Sequence, residues 1–286
     1  MRFLNPKTDF AFKRIFGSAE SGDILISFLN AILNLKSPHR IVAVDILDPY
    51  LAPKIKGMKD TYLDVKAKDE SGKSYIIEMQ VLNVEGFEQR ILYNACKTYA
   101  GQLDSGDGYQ NLTDVIAITI TDFVMFKELP KVVNNFKLRA ESGHVYHDDL
   151  ELVFAELPKF NKHEYELTSD LDRWFYFLKS ASSLEAVPKS MVDDAAIQHA
   201  FHIANKASLS REELDDQEHR EIFIQDQRGA LSLAKKQGLE EGLEKGMEQA
   251  TLMIARFLLS LMDNKTIADS TGLNVGKIQH LRECEK

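Results

Sequence analysis

Apolar residues along the first 120 positions recur with two different periods, and the change of period outlines the elements. Phe10, Phe12, Ile15 and Phe16 predict a short helix with Thr8 as its cap, Asp9 in its first turn and Gly17 at its end. Ile24, Leu25, Phe28, Leu29, Ile32 and Leu33 follow at helical spacing, predicting a second helix over 20–35 that Ser37-Pro38 breaks. Ile41 to Leu47 reads as a strand. Thr61–Lys68 and Ser74–Gln80 read as two more strands around a polar turn. Phe87 to Leu103 returns to helical spacing, with Ile91, Leu92, Ala95, Tyr99 and Leu103 as its buried stripe. Val115–Ile120 is a continuous apolar run, the mark of a strand covered on both faces.

Beyond residue 121 the pattern weakens. Val145-Tyr146 and Leu150–Phe154 predict one or two strands. Ser169–Ser180 predicts a helix with Leu171, Trp174, Phe175 and Leu178 on one face, and Met191–Ala207 another. Residues 212–262 favour one long charged helix. Gly238, Gly242 and Gly246 recur every four residues within it, as do Leu239, Leu243 and Met247. A four-residue period drifts around a 3.6-residue helix, so it makes no stable heptad seam. The reading is a pliable helical linker, either solvated or self-associating through its small-residue face. Lys265–Ile278 then predicts a helix, a turn at Gly272 and a second helix capped by Asn274. Ile267, Ala268, Leu273, Val275, Ile278 and Leu281 would form its small core. Its second helix offers DNA only Lys277, Gln279, His280 and Arg282. The domains that follow are 1–207, a linker over 208–252 and a helix-turn-helix-like module over 253–286.

The hairpin carries the candidate chemistry. A loop of Glu70-Ser71-Gly72 with Gly72 at φ > 0 pairs Asp69 with Lys73 and sets Asp64 across from Glu78. Strand alternation puts Tyr62, Asp64, Lys66 and Lys68 on one face and Leu63, Val65 and Ala67 on the other. Two facing carboxylates repel unless a cation lies between them, and a divalent metal is a common solution. The plainer reading is a half-solvated hairpin with ordinary surface acids.

Asp64 followed by Glu78-Met79-Gln80 resembles the PD-(D/E)XK nuclease signature, with Gln in place of its Lys. The D…ExQ variant is similar to the Rpn family of recombination-promoting nucleases, also called transposases. Asn5–Gly17, Arg90–Tyr93, Tyr99–Leu103 and the repeats of 238–246 resemble that family in order. The resemblance implies an α/β fold, with a mixed central sheet flanked by helices in an αβββαβ core. A long C-terminal helix and a small helical module would follow. It also implies a Mg²⁺-dependent (or Mn²⁺-dependent) DNA endonuclease acting in recombination, mobile-element biology or defence. Asp64, Glu78 and the Met79 carbonyl would bind the metal, with Asp9 as a further ligand. Gln80 would orient water, because an amide neither carries positive charge nor sheds a proton. Lys66 would supply the missing charge, and Lys13, Arg90 and Tyr93 would join it in contacting DNA. The other readings are a regulatory DNA- or protein-binding chain on a nuclease-like scaffold, and an assembly protein that forms homo-oligomers through 212–262.

Composition narrows these readings. The chain has 286 residues, 44% hydrophobic and 28% charged, as in a globular protein. It has no apolar run long enough to span a membrane and no secretory leader at its start. Cys96 and Cys284 lie far apart, so a reduced cytoplasmic protein without a disulfide is expected. Residues 1–140 hold 18 basic and 17 acidic side chains, the remainder 17 and 27. Such a chain grips phosphates locally rather than by broad electrostatic capture. His144, His147, Asp148 and Asp149, and the pair His199 and His202, are weaker candidates for metal ligands than for ordinary polar residues.

Overall fold

A computed structural model describes residues 2–51 and 61–284. The chain divides into two compact units, 1–224 and 225–286. The first unit is built on a mixed six-stranded sheet. Its strands are β1 (Val44–Leu47), β4 (Val65–Asp69), β5 (Ser74–Gln80), β6 (Val115–Thr121), β8 (Val145–Glu156) and β7 (Val133–Arg139), in that spatial order. β2 (Tyr50–Leu51) and β3 (Thr61–Tyr62) form a separate small ribbon. β5 pairs in parallel with β6, and β6 with β8, while the outer pairings are antiparallel.

Helices cover both faces. On one side α1 (Asp9–Phe16), α2 (Gly22–Ile32), α4 (Asp170–Ser180) and α5 (Ala195–Ile203) bury Phe12, Phe16, Phe28, Trp174 and Phe201 against Val65, Ile77, Ile118 and Val153. On the other, α3 (Phe87–Ala100) sets Ala95 over Ile76 and Ala117, and Phe87 and Ile91 over Phe154. The predicted α/β architecture is therefore present. The stretch β5–α3–β6 is the parallel crossover unit, which leaves Glu78 and Gln80 at the carboxyl end of a central strand, where open α/β sheets hold their ligands.

The hairpin register is as read from the turn. Gly72 has φ +89°, Asp69 N–H donates to the Lys73 carbonyl, and Val65 pairs with Ile77, the last pair of the ladder before Asp64 and Glu78. The expected alternation of faces fails one residue earlier. Leu63 packs with Ile76 and Ala95 on the α3 side, while Val65 and Ala67 face α1. A bend at Asp64 separates them, and the Leu63 N–H turns away to the Pro49 carbonyl. Strand parity alone therefore does not aim Asp64.

Other departures have local causes. The α3 stripe includes Asn94 and Thr98, whereas Leu92 is exposed and Tyr99 reaches out to Asp149. The region 145–156 is one long strand with a bulged pairing to β7, a partner whose polar sequence gave no strand signal. Met191–Ala207 shortens to α5 between single 3₁₀ turns.

The long helix α6 runs from Arg211 to Leu258, and its first turns, to Ile224, belong to the first unit rather than to a linker beginning at 208. In the second unit, the end of α6 with α7 (Asn264–Thr271) and α8 (Val275–Cys284) buries Ala255, Leu259, Ile267 and Ile278. Gly272 closes α7 at φ +73°. Val275, predicted in this core, is 46% exposed. The two cations this helix offers are engaged within the protein. Arg282 donates to the carbonyls of Leu259 and Met262 and to Asn264, and Lys277 pairs with Glu248. No described helix is long and apolar enough to cross a membrane.

Candidate active site

The carboxyl end of β5, the start of β4 and the helices α1, α3 and α6 enclose a cleft of about 820 Å³. Asp9, Lys13, Asp64, Glu78, Gln80, Arg90 and Asn94 line it. Gly17 lets α1 lie this close to β4, since a Cβ there would meet the Lys13 carbonyl at 2.9 Å and the Val65 methyl at 3.3 Å. That packing carries Lys13 to Asp64.

Asp64 is held by little. One carboxylate oxygen accepts the Met79 N–H at 2.8 Å, and the other lies 3.6 Å from the Lys13 ammonium. Burial, with the charge of Glu78 added, pushes its carboxyl up to about 7 against the pull of the Met79 N–H and Lys13. Glu78 is also raised above the usual carboxylate range by burial, against the pull of Asn94, Arg90 and Lys13. Its Oε1 accepts from the Asn94 amide at 2.8 Å. The Met79 backbone faces this edge too. The Gln80 carbonyl accepts from Asp122 N–H on the β6 side, so the neighbouring residue directs both its N–H and its C=O toward β4.

The remaining candidates are distributed unevenly. Gln80 is pinned at both ends, its amide donating to the Leu82 carbonyl at 2.7 Å and its oxygen accepting from Arg90 at 2.8 Å. Arg90 also lies over the Phe87 ring. Asp9 is bound by Lys13 at 2.6 Å and by Arg220 at 3.1 Å. Among the described residues no three His, Cys, Asp or Glu side chains converge, so Asp9 does not close a ligand set with Asp64 and Glu78. The same holds for His144, His147, Asp148 and Asp149, where His147 pairs with Asp149, and for His199, which pairs with Asp23. Lys66 and Tyr93 are not among the residues lining the cleft. The cation beside Asp64 is thus Lys13, not Lys66.

Two contributors escaped the sequence reading. Asn94 sits one helical turn after Arg90, a polar residue between Ile91 and Ala95 of the buried stripe, and that interruption was the available signal. Arg220 lies far along the chain on a helix read as a linker, and nothing in the sequence marked it.

A donor set of two carboxylates and a backbone carbonyl suits a hard divalent cation. Both acids are short of compensating charge, which a cation would supply. Searches among curated proteins and among solved structures give no match. Residues 6–234 match the sequence model of a family described as PD-(D/E)XK nuclease family transposase, a span that includes every residue lining the cleft. The chain belongs to that PD-(D/E)XK nuclease family.

Proposed function

We propose that this chain is a Mg²⁺- or Mn²⁺-dependent endonuclease that hydrolyses phosphodiester bonds of DNA. The observation that carries the reading is the pair Asp64 and Glu78, both raised by burial and lining one cleft with Lys13 and Arg90. Asp64, Glu78 and the Met79 carbonyl would hold the ion. The ion would acidify a bound water and offset charge on the phosphate.

The protein's own contribution is positioning and charge. Met79 N–H fixes one oxygen of Asp64, and Asn94 fixes one of Glu78. Lys13 places positive charge 3.6 Å from Asp64, where it supports a negatively charged phosphate. Lys13 thereby takes the part that the signature gives to a lysine at the position of Gln80. Arg90 orients Gln80 with one nitrogen and adds a second cation to the cleft. The substrate would be engaged locally by these side chains.

The test is nicking of supercoiled plasmid in Mg²⁺ or Mn²⁺ by the wild type and Asp64→Ala. The reading predicts cleavage that chelation stops and the substitution reduces at least about a hundredfold. Equal cleavage by both proteins, or cleavage by neither, contradicts it. The pinned amide of Gln80 favours a second reading, a nuclease-like regulatory protein with weak or no cleavage. That reading predicts DNA or protein binding without metal-dependent nicking.

A further inference from the structure

The first turns of α6 are clamped onto α1 at points outside the candidate metal ligands. Thr8, the cap of α1, donates its hydroxyl to the Gln217 amide oxygen at 3.0 Å, and both residues are buried. Glu213 pairs with Arg14 at 2.7 Å. Between these anchors and the cleft, Arg220 spans two acids, with Nε on Asp216 at 2.9 Å and a terminal nitrogen on Asp9 at 3.1 Å. Asp9 in turn holds Lys13 at 2.6 Å, and Lys13 meets Asp64 at 3.6 Å. Charges therefore alternate without a gap from α6 to the candidate site.

We infer that Arg220 is a positioning residue for the reaction, acting through Asp9 to hold Lys13 beside Asp64. The inference rests on the nuclease reading above. Lys13 has a long flexible stem and is 40% exposed, so one neighbouring carboxylate does not define where its ammonium sits. Asp9 is equally free to turn outward unless its second oxygen is held. A planar guanidinium fixed on both sides does that, and the buried Thr8–Gln217 bond fixes the helix that carries it. With Nε on Asp216 and one terminal nitrogen on Asp9, Arg220 turns two of its five N–H donors to carboxylates of the protein.

The experiment compares full-length wild type, Arg220→Ala, Asp9→Asn, the double variant and Arg220→Lys in plasmid cleavage, with DNA affinity measured across a salt series. Exposed ion pairs act weakly, so Arg220→Ala should lower kcat about fivefold while KM and the salt slope of DNA binding stay unchanged. In the Asp9→Asn background the same substitution should have no further effect, because its route is already cut. Arg220→Lys should recover part of the loss. Thermal unfolding of each variant separates a folding defect from this pattern, and Arg220→Lys keeps the cycle readable where Arg220→Ala folds poorly. Additive losses, an unchanged kcat, or a raised KM with a shallower salt slope would each overturn the inference while leaving the nuclease reading intact. Absence of cleavage by the wild type would overturn both.

Discussion

Asp64 and Asp172 are both mostly hidden aspartates, with side chains 18% and 11% exposed, yet their surroundings push them in opposite directions. Asp172, at the start of α4, accepts from the Lys162 ammonium with both oxygens at 2.8 Å. It also accepts from the Thr168 and Ser169 N–H groups and the Thr168 hydroxyl. Lys162 and these donors outweigh burial and hold it below the ordinary carboxylate range. Asp64 has one N–H and a lysine at longer range, faces Glu78, and is raised to about 7. Glu156, fully buried at the end of β8, is also well supplied with donors: the N–H groups of Met125 and Phe126 and the ammonium of Lys159. The fold can satisfy a buried acid where the acid serves structure. It gives Asp64 and Glu78 fewer donors and leaves their carboxyls raised, which sets this pair apart from a structural ion pair.

The contrast is open to attack at several points. The largest effect should come from Lys13→Ala, which removes the cation beside Asp64 and should slow metal-dependent cleavage about a hundredfold in single-turnover assays. Lys66→Ala should stay within about twofold, and the reverse ranking would show that the charge comes from the β4 lysine. Next, Asp172→Asn should destabilise the protein by about 2 kcal/mol at pH 7, measured by urea unfolding. A depressed acid stabilises above its unfolded pKa, and this contribution is lost as pH falls below the ordinary carboxylate range, so the penalty should shrink in acid.

Asp64→Asn should act with the opposite sign in metal-free protein. A raised acid binds its proton more tightly folded than unfolded, so this group's contribution to stability falls as pH rises from about 4 to about 7. Removing the charge should therefore raise the unfolding midpoint at pH 8 by a few degrees and leave it unchanged near pH 4. A lowered midpoint at pH 8 would mean that the pairing with Lys13 outweighs burial. Among the site substitutions expected to act, Asn94→Asp has the mildest effect: it should weaken DNA cleavage severalfold by adding a carboxylate next to Glu78, with little change in DNA affinity.

Much of this was legible because local chemistry decides it. Gly72 selects the loop, the loop fixes the register, and the register pairs β4 with β5 from Val65–Ile77 to Lys68–Ser74. Thr8 and Gly17 delimit α1, and the apolar run of β6 identifies a strand buried on both faces. What sequence did not yield depends on distant partners. The bend that turns Leu63 toward α3 follows from packing on Ile76 and Ala95, not from strand period. β7 is polar because it lies at the sheet edge. Arg220 looked like one charge among many on a solvated helix, and only the clamp at Thr8 and Arg14 brings it to Asp9. The four-residue glycine period gave no hint that the helix begins as part of the first unit.

Joint binding of one divalent cation by Asp64 and Glu78 can be read by calorimetric titration of Mn²⁺ into the full-length protein. One site is expected in the wild type and none in Asp64→Asn or Glu78→Gln, with the unfolding midpoint rising on Mn²⁺ addition only for the wild type. Equal Mn²⁺ binding by all three proteins, or none by the wild type, would contradict it.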